Sequence, residues 1–196
     1  MKRRYVLGGA LALAGCGLSE RPYTERRQWP LLVPRPTSLP PRARGKVLQV
    51  RPLRAVAGMS QRGLQTLQPD GSLQTAFYEE WAVPPPEGVE DALRMWLAGS
   101  GLFSAVIGSG SRQAPDLVLE GELTALLSDL AANAARATLA VVVIDQRPHP
   151  ERIRVQANET GVVPLNGTDA PAQVAAQLAA LAAAFTETER ALAPLA

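Results

Sequence analysis

Side chains that could do chemistry are few in this sequence of 196 residues, which has one cysteine and one histidine. A hydrolase triad needs a base beside a nucleophile, but His149 stands between Pro148 and Pro150, a pattern that predicts an exposed turn. One histidine and one cysteine fall short of the three or four ligands of a zinc site. Glu120 and Glu122 share one face of a predicted strand, where the simplest interpretation is a solvated sheet face. The sequence therefore argues against an enzyme.

The cysteine closes an N-terminal stretch that has the layout of a targeting signal. Residues 1–4 carry positive charge, and residues 5–13 form an apolar run without an acid. Positive charge, an apolar run and small residues in this order predict a secretory signal peptide. The run is too short to span a bilayer, which takes roughly 20 apolar residues. Four residues end the signal: Leu13, Ala14, Gly15 and Cys16.

Leu-Ala-Gly-Cys resembles the lipobox of bacterial lipoproteins. The resemblance implies that the Cys16 thiol receives a diacylglycerol, that the signal is cleaved before Cys16, and that the new amine gains an acyl chain such as palmitate. Two or more chains give a stable anchor, whereas one binds a membrane marginally. In bacterial lipoproteins, an aspartate directly after the acylated cysteine implies retention at the inner membrane. The residue at this position is Gly17, which implies a lipid-anchored protein on the periplasmic face of the outer membrane. Two alternatives stay open: an exported protein with a chance cysteine, and a short transmembrane anchor. No cofactor is expected beyond the covalent lipids.

Composition and charge divide the chain into three parts. We predict a signal peptide at residues 1–15, a lipidated tether at residues 16–45 and one domain at residues 46–196. Residues 16–54 contain nine Lys or Arg and two Asp or Glu, whereas residues 55–196 contain eight and sixteen. A basic segment beside an anchor predicts contact with anionic headgroups or with an acidic partner, and a solvated linker is the alternative. Nucleic acid is an unsuitable partner for an exported protein.

The tether is predicted from six prolines in residues 17–45, which favour extended backbone and remove hydrogen-bond donors. Trp29 and residues 31–33 interrupt it with apolar side chains. Docking of these residues on the domain and contact with lipid both stay open at this stage.

Hydrophobic periodicity predicts strands and helices over the remainder of the chain. The strands are expected at residues 46–53, 64–67, 73–81, 102–107, 116–127, 136–145 and 153–157. A turn at residues 68–72 predicts that the second and third strands form a hairpin. In the strand at residues 116–127, one face is predicted to be buried, and it consists of Leu117, Leu119, Gly121, Leu123, Ala125 and Leu127. A short helix is expected from about Pro86 to Leu97, and a long one after a cap at Thr168 or Asp169. The apolar face of the short helix is predicted to consist of Val89, Leu93, Trp96 and Leu97. These elements predict an α+β fold, a largely antiparallel β-sheet with one short helix and one long C-terminal helix packed on it.

Aromatic residues gather around a run of three prolines, and they are the candidate partner-binding residues. Tyr and Trp are favoured anchors in protein interfaces, so Tyr78, Trp81, Pro84 and Pro85 are selected. The alternative is that the aromatic side chains belong to the core.

Residues 45–193 resemble the ABC-type transport auxiliary lipoproteins, a family that includes the lipoprotein of the paraquat-inducible transport system. Together with the lipobox at Cys16, the matching features are a strand at Val47-Leu48-Gln49-Val50, Met59-Ser60-Gln61-Arg62-Gly63-Leu64, Phe77-Tyr78-Glu79-Glu80-Trp81 before the prolines, a helix at residues 93–97, a strand at residues 117–122 and a closing helix. The long Arg/Pro segment before the first strand departs from the family pattern.

The resemblance implies a non-enzymatic role. Its relatives work with an inner-membrane permease, an ATPase and a membrane-tethered substrate-binding protein of the mammalian-cell-entry type, and the complex moves lipids or other hydrophobic molecules between membranes. A homo-oligomer is compatible with the resemblance. Two other classes stay open: an outer-membrane lipoprotein that activates or positions a cell-wall or secretion machine, and an anchored enzyme.

Overall fold

The structure is a computed structural model that describes residues 24–147 and 150–196. Within them the strands are β1 (Arg27–Trp29), β2 (Val47–Val50), β3 (Arg54–Ala55), β4 (Gly63–Leu67), β5 (Leu73–Trp81), β6 (Ala105–Ile107), β7 (Leu117–Asp129), β8 (Ala134–Asp145) and β9 (Arg152–Pro164). The helices are α1 (Pro85–Ala98) and α2 (Ala170–Leu192), and one 3₁₀ turn, Ala193–Leu195, follows α2. The lipobox with Cys16, and His149, lie outside the described residues.

The nine strands form one mixed sheet organised around β7. β8 pairs antiparallel along the whole of β7, from Leu117 opposite Asp145 to Asp129 opposite Ala134, and β9 pairs antiparallel with β8. Along its other side, β7 pairs in parallel with β2, β3 and β4 in turn. The longest ladders are antiparallel and the parallel ones are short. This confirms the α+β fold with a largely antiparallel sheet.

The sheet continues beyond β2 and β4 to its second edge. β6 pairs with β2, β5 forms the predicted hairpin with β4, and β1 pairs in parallel with β5. The path from edge to edge therefore runs β1, β5, β4, β7, β8, β9. β1 and β9 lie at opposite edges of the sheet.

Both helices pack on one face of the sheet. The predicted apolar face of α1 is buried, and it consists of Val89, Leu93, Trp96 and Leu97. α2 lies across β8 and β9, and the Trp96 and Phe185 rings meet edge to face at 5.8 Å between their centroids. Asp169 caps α2, because its Oδ1 accepts a hydrogen bond from the Ala172 N–H at 3.0 Å. This cap was one of the two predicted.

One glycine lets α2 approach the sheet closely. A Cβ atom built on Gly161 of β9 would lie 1.9 Å from the Ala180 carbonyl oxygen of α2. No side chain fits in that space, so glycine is required there for helix and sheet to touch.

The alternation predicted for β7 fails beyond Leu123. The predicted buried face included Ala125 and Leu127, but the register against β8 shifts between Leu123 and Ala125. A bulge inserts one residue and turns the following side chains to the other face. Leu126 and Ser128 are therefore buried instead.

Part of the segment predicted as a tether packs on the domain. Trp29 of β1 is half-buried and Leu31 is in the core, and the Leu39 N–H donates to the Gly99 carbonyl at 2.8 Å. Docking is therefore the alternative that the structure shows for Trp29 and Leu31. The boundary predicted between residues 45 and 46 falls within packed chain.

Candidate functional site

The four predicted partner-binding residues occupy different environments. Trp81 is 1% exposed and belongs to the core, and Pro85 is buried at the start of α1. Pro84 is the N-cap residue of α1 and is half-buried. Tyr78 is 44% exposed. Of the four, Tyr78 is the side chain best placed to contact another molecule. Trp81 instead belongs to the core, which was the alternative considered from the sequence.

Tyr78 is exposed because β5 carries a wide bulge. Gly63 pairs with Glu80 and Gln65 with Thr75, so residues 76–79 of β5 oppose only one residue of β4. The extra residues leave the regular ladder and bend the strand outward. A Cβ atom on Gly63 would lie 2.3 Å from the Ala76 carbonyl oxygen, so the bulge needs a glycine opposite it.

The bulge exposes the rings of Phe77 and Tyr78, and Arg26, just before β1, lies beside them. We call these three residues the aromatic edge. Phe77 is 65% exposed, and its ring meets that of Tyr78 at a centroid distance of 4.9 Å and an angle of 83°. The Arg26 guanidinium carbon lies 4.4 Å from the Phe77 centroid, within the range of a cation–π contact.

Phe77 was not selected as a partner-binding residue from the sequence, because it fits the alternation of a strand. A signal was present, since a regular strand sends neighbouring side chains to opposite faces. Two large aromatic residues in succession at a strand end therefore predict one exposed ring or an irregular strand.

Ion pairs and hydrogen bonds hold β1 beside the bulge. Glu79 accepts from Arg27 Nη2 at 2.7 Å and from Trp29 Nε1 at 2.8 Å. Glu80 accepts from Arg62 Nη2 at 3.1 Å, and Arg62 Nε donates to the Trp81 carbonyl at 2.8 Å. Glu79 in the bulge and Glu80 next to it are thus both paired, and the chain entering β1 is fixed next to the exposed rings.

The unequal charge along the sequence is partly balanced inside the molecule. Arg35 forms a two-point ion pair with Glu189 of α2, and Arg51 pairs with Glu120. Lys46 Nζ donates to the Leu195 carbonyl at 2.6 Å. These three basic side chains therefore make contacts within the domain, unlike those of a solvated linker.

The face of the sheet opposite the helices holds a shallow groove of about 730 Å³. Glu120 and Glu122 lie on its wall with Arg51 and Arg54, and Val142 contributes to its floor. The two carboxylates therefore lie on an open, charge-paired sheet face, as the simplest interpretation predicted. Among residues 24–147 and 150–196, no group of three His, Cys, Asp or Glu side chains is arranged to hold a metal ion.

A buried carboxylate joins the starts of β2 and β7. Burial raises the pKa of Asp116, but hydrogen bonds from the Val47 N–H at 2.9 Å and from Arg147 lower it, as do the charges of Arg147 and Lys46. The net effect is a pKa below the usual 3.8. Because all its partners are structural, Asp116 is a fold-stabilising group.

Comparison with models of known protein families shows to which family this chain belongs. The family model of the ABC-type transport auxiliary lipoprotein component matches residues 31–188. The chain belongs to this family. The match includes β2 to β9, both helices except the last residues of α2, and residues 31–45 of the predicted tether, whereas β1 precedes it. A search of curated proteins found no match to this chain.

Solved structures share the fold of this auxiliary lipoprotein component. A Xanthomonas campestris protein aligns with a TM-score of 0.67 and 23% identity, over 81% of this chain and 87% of that one. An uncharacterized protein aligns with a TM-score of 0.64 and 13% identity, over 78% and 94%. A hypothetical protein of Chlamydia trachomatis aligns with a TM-score of 0.53 and 11% identity, over 76% and 99%. At these identities the likeness shows the fold alone.

Family membership makes the protein an auxiliary component of ABC-type transport, associated with a membrane of the cell envelope. Such a component is not the catalytic part of its system. No helix within the described ranges has the length and apolar character needed to span a membrane.

Proposed function

We propose that this protein is a non-enzymatic, lipid-anchored component of an ABC-type system that moves lipids or other hydrophobic molecules between the inner and outer membranes. Its partners are a permease, an ATPase and a substrate-binding protein of the mammalian-cell-entry type. The observation that carries the proposal is the family match over residues 31–188, which spans nearly the whole packed domain.

The proposed anchor is the acylated Cys16 on the periplasmic face of the outer membrane. Support comes from the order of charge, apolar run and small residues before the cysteine. The first strand, β1, begins eleven residues later, at Arg27. Membrane attachment through Cys16 therefore leaves β9 and both helices free for contacts in the periplasm.

A component of this kind acts through the surfaces with which it contacts other molecules, and it needs no catalytic centre. The aromatic edge is the most apolar of those found here, because Phe77 and Tyr78 are both exposed. β9 offers a second surface, since the described chain pairs it with β8 alone. A homo-oligomer stays a prediction.

A genetic test separates this role from that of an independent envelope protein. Deleting the gene of this chain is expected to weaken the permeability barrier of the envelope as much as deleting the permease does. The double deletion is expected to be no worse than either one. Additive defects would place the protein in a separate process and contradict the proposal.

Complementation then tests the anchor. The wild-type chain is expected to restore the barrier, whereas Cys16→Ala is expected to stay unprocessed or mislocalised and to fail. Met95→Ala, a change of an exposed side chain on α1, is the matched control and is expected to complement. Normal outer-membrane fractionation of Cys16→Ala would refute the anchor.

A further inference from the structure

The distance between the anchor and the domain has an upper limit. Residues 17–25 are the only ones between Cys16 and Arg26, so even a fully extended chain separates these two residues by at most about 36 Å. A domain of about 170 residues has a radius of gyration near 15 Å and hence a diameter of roughly 40 Å. An acylated Cys16 therefore keeps the point of chain entry closer to the membrane than one domain diameter.

The chain enters the domain at the aromatic edge. Arg26 contacts the Phe77 ring, and Arg27 pairs in β1 with Glu79 of the bulge. The exposed rings are thus adjacent to the last tethered residue. A tether shorter than the domain diameter therefore keeps this edge of the sheet within reach of the membrane.

The chemistry of the aromatic edge suits the boundary between headgroups and acyl chains. Tyrosine combines an apolar ring with a polar hydroxyl, a combination enriched in the belts of membrane proteins at the interface. Arginine places its apolar stem along such a surface while its charge stays hydrated. Two further exposed apolar side chains, Leu32 and Val83, follow the far ends of β1 and β5.

The charges of the edge favour lipid over an acidic protein surface. The carboxylate of Glu79 is paired with Arg27, and that of Glu80 with Arg62. Apart from Arg26, whose guanidinium lies over the Phe77 ring, the charges around the edge are paired, and contact through exposed aromatic area depends little on salt. An acidic partner would instead be selected by unbalanced positive charge.

We propose that the aromatic edge lies against the lipid surface of the membrane that anchors the protein, with Phe77 and Tyr78 at the headgroup–acyl boundary. This inference rests on the proposed acylation of Cys16. It also fixes an orientation, because β9 lies at the opposite edge of the sheet from β1. Four strand spacings separate β5 from β9, or roughly 19 Å, so β9 points away from the membrane.

The test measures lipid contact at single labelled sites of the full acylated chain. Cys16 is the only native cysteine, so acylation leaves an introduced thiol as the sole labelling site. Tyr78→Cys and Phe77→Cys each receive an environment-sensitive fluorophore on the aromatic edge. Val162→Cys, on exposed β9, is the matched control. The proteins are reconstituted into phosphatidylcholine vesicles with and without phosphatidylglycerol, and lipids with a spin label near the headgroup serve as quencher.

The expected result is a blue-shifted, quenched fluorophore at residues 77 and 78 and an aqueous, unquenched one at residue 162, in both lipid compositions and at high salt. Equal exposure to water at all three sites of an acylated chain would overturn the orientation while leaving the anchor intact, and would assign the edge to a protein partner. Labelling of Cys16 itself would reveal an unacylated chain and overturn the anchor together with the orientation that rests on it. Matching melting temperatures of the labelled variants show that each is folded.

Discussion

Glu189 of α2 holds the N-terminal segment on the domain, and its removal gives a quantitative test of that packing. One carboxylate oxygen accepts from Arg35 Nη2 at 3.0 Å, and the other accepts from Trp96 Nε1 at 2.9 Å and from Arg35 Nη1. The Arg35 guanidinium also lies 5.1 Å from the Trp96 centroid. Glu189→Ala would leave a guanidinium and an indole N–H without their acceptor.

The expected loss follows from the burial of this network. The Arg35 and Glu189 side chains are 18% and 22% exposed, so water replaces the lost acceptor only in part. Hydrogen bonds to charged groups contribute about 1.5–3 kcal/mol, and exposed pairs contribute about 0.2–1 kcal/mol. We expect the free energy of unfolding to fall by about 2 kcal/mol. For a domain of this size that corresponds to a decrease of about 4–8 °C in Tm.

Glu187 provides a matched control two residues away on the same helix. It pairs with Arg190 one turn along α2, where both side chains are more exposed. Glu187→Ala is expected to cost less than about 0.5 kcal/mol. Urea unfolding of both variants measures the difference, and limited proteolysis within residues 30–45 shows whether that segment is released. Equal small losses in the two variants would refute the conclusion that Glu189 fastens the segment.

Three further substitutions test particular parts of the fold. Gly161→Ala is expected to destabilise by at least about 2 kcal/mol because its methyl group would collide with α2, whereas Gly110→Ala, which has open space around it, should stay within about 0.5 kcal/mol in the same thermal melts. Because the pKa of Asp116 is lowered on folding, its carboxylate stabilises the fold above the unfolded-state pKa, and this contribution is lost as pH falls through the folded-state pKa. The difference in unfolding free energy between wild type and Asp116→Asn should therefore shrink in acid urea titrations, and a difference that grows there would contradict the assignment. Trp81→Ala is expected to cost about 3–5 kcal/mol as a core truncation, and Tyr78→Ala less than about 1 kcal/mol; a stable Trp81→Ala variant would place Trp81 outside the core.

Elements with a long periodic pattern could be predicted from the sequence. The apolar residues of α1 repeat at helical spacing over several turns, and all four that were chosen are buried. α2 combines a capping residue at Asp169 with Pro171 in its first turn, so its start was readable. The turn at residues 68–72 placed the hairpin of β4 and β5, because proline and glycine there set the backbone.

Short strands and bulges could not be predicted in the same way. β1 has three residues and β3 has two, so neither shows an alternation, and both are formed only because a neighbouring strand offers its edge. The bulges in β5 and β7 depend on pairing with β4 and β8, which is tertiary information. The prolines of the predicted tether favoured extended chain, but a proline-rich segment can also dock on a domain, and Leu31 shows that this one does.

The sequence predicted which residue types form the candidate site, but it did not predict which of their side chains are exposed. Tyr78 and Trp81 were chosen together because interfaces favour both residue types. The structure separates them, since the bulge turns Tyr78 outward and the strand end carries Trp81 into the core. Phe77 replaces Trp81 as the second exposed ring because its position in the bulge, not its residue type, determines where it points.

The most direct test of the proposed transport role is an affinity pull-down of the tagged, acylated protein from crosslinked membranes, with the bound proteins identified by mass spectrometry. The Cys16→Ala chain serves as the control that should lose membrane partners. Recovery of a mammalian-cell-entry protein together with its permease and ATPase is the predicted result. Recovery of cell-wall or secretion proteins without any ABC permease would contradict the account.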